Sequence, residues 1–239
     1  MTAILAHRGA SADHPENTLR AFRRALVDAP AADGFECDVR LSTDGVPFVF
    51  HDDDTERLTG QTGTLEARTS VEISALRVGG EPIPTLADLL ALVDELRPPP
   101  LLLNVELKPT GDAAPLIAAC RPLLDGLAAS SHSLIVSSFD PRVLATALDA
   151  QVPWRLAFLY ETLDALRFLD LLAPRGPLDL HPHHALVDAD HLARYASSPR
   201  RVRTWTVDDP DEARRLIDLG VDALITNAPQ RLKRSLLTP

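Results

Sequence analysis

Short aliphatic and β-branched runs alternate with longer segments of helical period along nearly the whole chain, and this alternation constrains the fold more than any other feature. It is the pattern of an α/β chain with a largely parallel sheet, in which each crossover between parallel strands carries a covering helix. Strand candidates are 3–7, 34–41, 46–51, 101–107, 133–137, 155–159, 178–181, 201–207 and 222–226. Helix candidates are 17–28, 85–96, 113–128, 141–149, 161–172, 188–196 and 210–219. Thr85 before Leu86, and Asp140 before Pro141, are helix-start signals, and Gly220 is a stop signal. At 239 residues, the chain suits one domain over 1–239, an eight-stranded TIM-type (β/α)8 barrel, a fold that commonly takes about 250 residues.

Nine strand candidates are one too many for such a barrel. The Asp44-Gly45 pair accounts for the extra one, since it is a strong hairpin signal between 34–41 and 46–51. With those two residues as the whole loop, His51 falls opposite Asp38 on the neighbouring strand. A longer loop shifts that register. The segment 52–83 has little apolar period and reads as a small insertion with limited structure of its own; long loops in compact domains tend to be functional. Pro98-Pro99-Pro100 is a stiff connector.

Composition narrows the function. A formal charge of −10 argues against a nucleic-acid partner, whose binding rests on Lys and Arg neutralising phosphates. An acidic protein binds a phosphate ester only where positive charge is locally concentrated. Cys37 and Cys120 lack C-x-x-C spacing and read as small core residues. A chain of this size buries roughly 70–75% of its unfolded surface, so it needs no structural metal. The amino terminus shows no signal-sequence pattern, and no stretch approaches the roughly 20 apolar residues of a membrane span, so the expectation is a cytoplasmic protein.

Polar residues collect at strand ends, which in a barrel face the mouth. His7-Arg8-Gly9, Glu36-Cys37-Asp38, His51-Asp52 and Glu106-Leu107-Lys108 close or occupy the first four strands. Alternation places Glu36 with Asp38, and Asn104 with Glu106 and Lys108, on shared faces. Three converging carboxylates repel one another unless a cation neutralises them, and an all-oxygen set suits Mg²⁺, Ca²⁺ or Mn²⁺. The competing reading is a set of structural salt bridges to Arg8, Arg40 and Lys108. His7 and His51 each end an apolar strand, and two histidines beside a metal can divide the proton transfers of phosphodiester cleavage. His14, His132 and His191 carry no such context. Arg8 and Lys108 supply the positive charge that a phosphate requires, although Arg8 is also within sequence reach of bridges to Glu16 or Asp38.

Taken in order, these motifs resemble the glycerophosphodiester phosphodiesterases. His7-Arg8-Gly9 with Pro15-Glu16-Asn17-Thr18 looks like the family's opening signature. Glu36-x-Asp38-Val39, Asp44-Gly45 through His51-Asp52, Asn104-Val105-Glu106-Leu107-Lys108, Ser138-Phe139, Trp205-Thr206-Val207, and Gly220-Val221-Asp222 with Ile225-Thr226 follow in the family's order. The resemblance implies a barrel of the phospholipase-C-like phosphodiesterase kind with a short insertion after the third strand. It also implies a divalent cation on Glu36, Asp38 and Glu106, His7 and His51 as the acid–base pair, Arg8 and Lys108 on the phosphate, and Phe139 and Trp205 lining the pocket. The implied reaction releases sn-glycerol 3-phosphate and an alcohol. Its rivals are a lysophospholipase-D-like activity and a sensor that binds glycerophosphodiesters without cleaving them. Asp208 and Asn227 stand where the family more often has Asn and Asp, and Ala223-Leu224 replaces the more common Gly-Ile; an Asp208 facing the site would favour a cationic head group.

Overall fold

The computed structural model describes residues 2–96, 98–109, 111–195 and 200–237. In chain order the strands are β1 Ala3–His7, β2 Gly34–Leu41, β3 Pro47–Val49, β4 Arg77–Val78, β5 Glu81–Pro82, β6 Leu102–Leu107, β7 Ser133–Ser138, β8 Arg155–Tyr160, β9 Asp179–Pro182, β10 Arg203–Thr204 and β11 Ala223–Thr226. Eight of them lie side by side in the order β10-β11-β1-β2-β6-β7-β8-β9, all pairing parallel. Bridges from Leu180 to Val202 and from His183 to Trp205 bring the two ends of that row together into a barrel. The ninth strand candidate is β3, which pairs antiparallel with β2 outside the row.

Two-residue alternation gives the barrel its two surfaces. On β6, Leu103, Val105 and Leu107 join Leu116, Ile117 and Cys120 of the helix Ala113–Ala128 in the main apolar core. Asn104 and Glu106, on the other face, open into a cleft. Leu5, Ala223 and Ile225 form a separate buried cluster with Ala3, Leu102 and Trp205. The expected helices form with their caps: Thr18 accepts from Ala21 N, Asp140 precedes Pro141 and accepts from Arg142 N, and Asp209 accepts from Glu212 N. Cys37 and Cys120 are free and buried, as small core residues should be.

Several expected boundaries move. The segment 161–172 divides into a 3-10 turn, Leu163–Leu166, and a helix, Arg167–Leu172. The strand expected at 201–207 contracts to β10, and the helix expected at 188–196 is Ala189–Ala193, with residue 196 outside the described residues. A final helix, Pro229–Leu237, has no counterpart among the expected elements; it buries Pro229 and Leu232.

The hairpin register is a correction. Val39 opposes Val49, Arg40 opposes Phe48 and Leu41 opposes Pro47, so the loop is one residue longer than Asp44-Gly45 alone. Ser42 N donates to Val46 O at 3.0 Å, and Gly45 takes φ +85°, a conformation that favours glycine. Phe50 rather than His51 therefore stands across from Asp38, donating its N–H to the Asp38 carbonyl at 3.0 Å. The cause is tertiary: the Asp44 carboxylate accepts from Ser42 Oγ, Ser70 N and Ser70 Oγ, which pins the loop to the start of a helix 26 residues away.

The insertion is also more ordered than its sequence suggests. It contains the short helices Glu56–Thr59 and Ser70–Ala75 and the β4–β5 ribbon, and Leu65, Ile73, Leu76, Val78 and Ile83 pack with Phe48 and Phe50 in a cluster of their own.

At the amino-terminal ends of β8, β9 and β10, Asp179 is paired with Arg155 and Arg203, and it also accepts from Arg201 N. Arg203 is only 3% exposed, so its charge depends on that partner. Removing one member of a buried pair strands the other, at a cost of about 3–5 kcal/mol. Asp179→Ala should lower stability by that amount in urea unfolding; a loss below about 1 kcal/mol would contradict the pairing's structural role.

Candidate active site

The strand ends deliver their side chains through specific backbone features. After β1 the chain reverses: Arg8 and Gly9 both have positive φ, +56° and +81°. A Cβ on Gly9 would lie 2.6 Å from the Ala21 carbonyl carbon, so only glycine fits between this turn and the helix Leu19–Val27. The turn aims Arg8 back across β2, where its Nε lies 3.2 Å from Asp38 Oδ2 and its Nη1 lies 2.9 Å from Glu16 Oε1. Both bridges expected as alternatives for Arg8 are formed.

Glu36 and Asp38 on β2 and Glu106 on β6 converge, with one oxygen of each within 4.8 Å of the others. All three are buried. The cations facing them are Arg8 and Lys108, the latter 3.0 Å from Glu106 and 3.7 Å from Asp38. Arg40 does not join: it is bound to Asp53, to Glu66, and to the carbonyls of His51 and Lys108. Three carboxylates thus share two fixed cations. Burial together with the Asp38 and Glu106 charges pushes Glu36 well above the usual carboxylate range. Burial and the Asp38 charge push Glu106 to about 7. Asp38 is held low despite its burial, because Arg8, Lys108, His51 and a hydrogen bond from Asn17 Nδ2 at 2.8 Å favour its ionised form.

The two histidines face this cluster with different supports. His7 Nδ1 is 2.7 Å from Asn227 Oδ1 while its Nε2 lies 3.8 Å from Glu36. Burial and the neighbouring Arg8 lower its pKa to about 4. His51 Nδ1 is 2.7 Å from Asp52 Oδ1; burial, then Lys108 and Arg8, lower its pKa against the pull of Asp38 and Asp52. Asp52 is held by Arg57, whose guanidinium also grips Glu16, the partner of Arg8. The chain of contacts His51–Asp52–Arg57–Glu16–Arg8 ties the insertion to the site.

A cleft of about 320 Å³ gathers His7, Arg8, Glu36, His51, Glu106, Lys108, Phe139 and Trp205, so eight of the nine residues singled out in the sequence line one space. The ninth, Asp38, is fully buried within the carboxylate cluster. Phe139 and Trp205 meet edge to face at 5.3 Å, and Lys108 Nζ stands 5.9 Å from the Phe139 ring centre. Asn104, Glu161 and Thr206 also line the cleft and were not singled out as site residues. Asn17 was missed as a site residue as well; its place in the Pro15-Glu16-Asn17-Thr18 motif, just before the Thr18 cap, was the available signal. Asp208 does not line the cleft. It is exposed and accepts from Thr226 Oγ1, Asn227 N and Asn227 Nδ2, which removes the ground for expecting it to favour a cationic head group. A larger cavity, about 700 Å³, lies at the opposite end of the barrel against Ile4, Ile217, Val221 and Leu236, away from the histidines and the carboxylate triad.

Residues 7–231 match the glycerophosphoryl diester phosphodiesterase family model. The chain belongs to that family. It is 30% identical to a glycerophosphodiester phosphodiesterase of Caldanaerobacter subterraneus over 97% of this chain and 96% of the relative. It is also 30% identical to one from Bacillus altitudinis, with the same coverage of each. Its fold is similar to that of an Oleispira antarctica phosphodiesterase solved in complex with the product sn-glycerol-3-phosphate, with TM-score 0.87, 26% identity, and coverage of 100% of this chain and 98% of the other. The family places the chain among the phosphoric diester hydrolases, on a TIM-type barrel. Among the described residues no helix is long and apolar enough to cross a membrane.

The triad fits a divalent metal. Its donors are all carboxylate oxygens, the set that hard cations prefer, and buried Asp38 Oδ1 has no hydrogen-bond partner. A cation also answers the charge imbalance. Because Glu106 has its pKa raised to about 7 from an ordinary value of 4.5, the folded metal-free protein binds more protons than the unfolded chain between those values. Its contribution to stability is therefore present at low pH and is lost as pH rises toward 7. Metal binding needs the ionised form, so the order reverses when a divalent cation is present. Thermal unfolding with and without Mg²⁺ should show a larger metal-induced rise in Tm at pH 8 than at pH 5.5, and Glu106→Gln should flatten the difference. Equal rises at both pH values would contradict this account.

Proposed function

We propose that the chain hydrolyses glycerophosphodiesters to sn-glycerol 3-phosphate and an alcohol, as one barrel domain over 1–239. A divalent cation, Mg²⁺, Ca²⁺ or Mn²⁺, would be held by Glu36, Asp38 and Glu106. The observation that carries the reading is the convergence, in one cleft, of an oxygen-only cation site, two histidines and two fixed positive side chains. The Oleispira antarctica neighbour and its product complex support the substrate class.

When bound, the cation would polarise the phosphoryl oxygens and offset their charge. Arg8 and Lys108 supply the protein's own positive charge at the phosphate; the planar Arg8 fork suits two oxygens, and Lys108 acts as a compact point charge. One histidine accepts a proton from the attacking hydroxyl and the other returns a proton to the leaving alkoxide; attack by water gives glycerol 3-phosphate directly, whereas attack by the glycerol's 2-hydroxyl gives a cyclic phosphate that water must then open with the same proton transfers in reverse. The low His7 pKa keeps that ring neutral at pH 7, ready to accept. Phe139 and Trp205 give the cleft an apolar wall for the carbon skeleton.

Loss of one general acid or base typically costs about 10²–10⁴ in rate. His7→Ala and His51→Ala should each lower kcat by that range in an assay that detects released glycerol 3-phosphate, with circular dichroism unchanged. Near-normal turnover in either variant would overturn the histidine assignment.

The cleft holds about 320 Å³, a size suited to a deacylated glycerophosphodiester without a long acyl chain on its glycerol. Glycerophosphocholine should be cleaved well in preference to lysophosphatidylcholine. The reverse preference would point to the lysophospholipase-D-like reaction, and cleavage of neither, with binding retained, to a sensor.

A further inference from the structure

His7 is held at Nδ1 by a neutral amide, and the direction of that hydrogen bond is not set by His7 or by Asn227. An imidazole nitrogen can donate or accept, and an amide presents either its oxygen or its NH₂. Ser11 does not decide the matter either: its Oγ lies 3.0 Å from Asn227 Oδ1, but it also has the His7 carbonyl at 2.7 Å to donate to. Asp208 decides it. Its Oδ1 accepts from Thr226 Oγ1 and Asn227 N, both at 2.8 Å, and its Oδ2 accepts from Asn227 Nδ2 at 2.7 Å. An ionised carboxylate has no proton to give, so Asn227 must turn its NH₂ toward Asp208 and its oxygen toward His7. His7 Nδ1 must then carry the proton.

We propose that Asp208 is a positioning residue that acts through Asn227 to lock His7 in the Nδ1–H tautomer, leaving the Nε2 lone pair directed toward the carboxylate cluster as a proton acceptor. The proposal deepens the reading of His7 as a proton-transfer group and rests on it. The loop that carries the lock is fixed at several further points: Ala12 N donates to the Asn227 carbonyl at 3.0 Å, and Ala228 N donates to Thr226 Oγ1 at 3.2 Å. Asp208 is exposed and touches none of the groups proposed to bind the substrate, so its effect on the site runs along this line of hydrogen bonds.

The lock predicts an unusual pattern of substitutions. In Asp208→Asn the backbone N–H of Asn227 still demands an oxygen at the Oδ1 position, so the new NH₂ takes the Oδ2 position and meets the NH₂ of Asn227. Asn227 then flips, its NH₂ faces His7 Nδ1, and His7 is driven to the Nε2–H tautomer. The exchange Asp208→Asn with Asn227→Asp restores the direction, because the amide introduced at position 208 donates to the carboxylate introduced at position 227, and that carboxylate accepts from His7. A role confined to loop stability would not produce this reversal.

The test uses selectively ¹⁵N-histidine-labelled protein with Mg²⁺ present. His7→Ala identifies the His7 signals, and Tm is measured for each variant. Wild type should show Nδ1–H, Asp208→Asn should show Nε2–H with kcat lowered by roughly 10- to 10³-fold and KM within about twofold, and the double exchange should recover both tautomer and kcat. His7 remaining Nδ1–H in Asp208→Asn, or a double variant no more active than the single one, would overturn the proposal. The tautomer reports on the lock itself. Turnover of His7→Ala reports separately on whether His7 takes part in the reaction, so failure of the two readings is distinguishable.

Discussion

The mutual repulsion of Glu36, Asp38 and Glu106 is the constraint around which the rest of the mouth is arranged. Buried carboxylates this close cannot all ionise without compensation, and Arg8 and Lys108 provide only part of it. The shortfall appears as pKa values raised for Glu36 and Glu106 and not for Asp38, which has the larger share of positive neighbours and the Asn17 hydrogen bond. Residues that look incidental follow from this. Arg8 reaches Asp38 because the chain reverses at positive φ, and that reversal needs Gly9 where a side chain would strike the helix behind it.

The same requirement explains how the insertion is attached. Arg57 belongs to the insertion, yet its guanidinium spans Asp52, which supports His51, and Glu16, which supports Arg8. Arg40, nearly buried, anchors Asp53 and Glu66 while donating to the His51 carbonyl. The apolar cluster around Phe48, Phe50, Leu65 and Ile73 gives this segment enough packing to hold those charges in place. Ion pairs at a solvent-facing rim contribute little stability singly. Their effect here is orientation: the Arg57 pairs fix the carboxylates that contact His51 and Arg8, and the Arg40 pairs fix the guanidinium that holds the His51 carbonyl.

Much of this was legible in the sequence because strand alternation and strand-end position are local rules. Glu36 with Asp38, and Asn104 with Glu106, share a face by period alone, and the helices with Asp or Thr caps formed close to their expected bounds. The failures share one cause. The loop after Leu41 was fixed by Ser70, 26 positions away from Asp44, which no local turn rule contains. The order of the insertion comes from apolar residues without a common period that meet only in three dimensions. His51 reached the cleft although its expected partner across the hairpin was wrong, since the ladder ends at Val49 and Arg40 then holds the His51 carbonyl. Asp208 misled for a further reason: sequence showed a carboxylate near the mouth but not that all three of its contacts go to Thr226 and Asn227 at the end of β11.

The interior of the barrel carries an asymmetry that joins fold to function. At the amino-terminal ends of the strands one carboxylate, Asp179, stands between two guanidinium groups, Arg155 and Arg203. At the carboxyl-terminal ends three carboxylates stand beside two cations. Between them lies the apolar layer of Leu5, Ala223 and Ile225. At the floor Asp179 and the nearby Asp222 balance the guanidinium groups, whereas at the mouth the carboxylates outnumber the cations that face them. A mouth of that sign would repel an anionic phosphodiester if it acted alone, and a divalent cation held by the triad would offset that charge. Metal and phosphate affinity would then be coupled: a bound cation would relieve the repulsion that raises Glu36 and Glu106, and would leave Arg8 and Lys108 less committed to the carboxylates they now face.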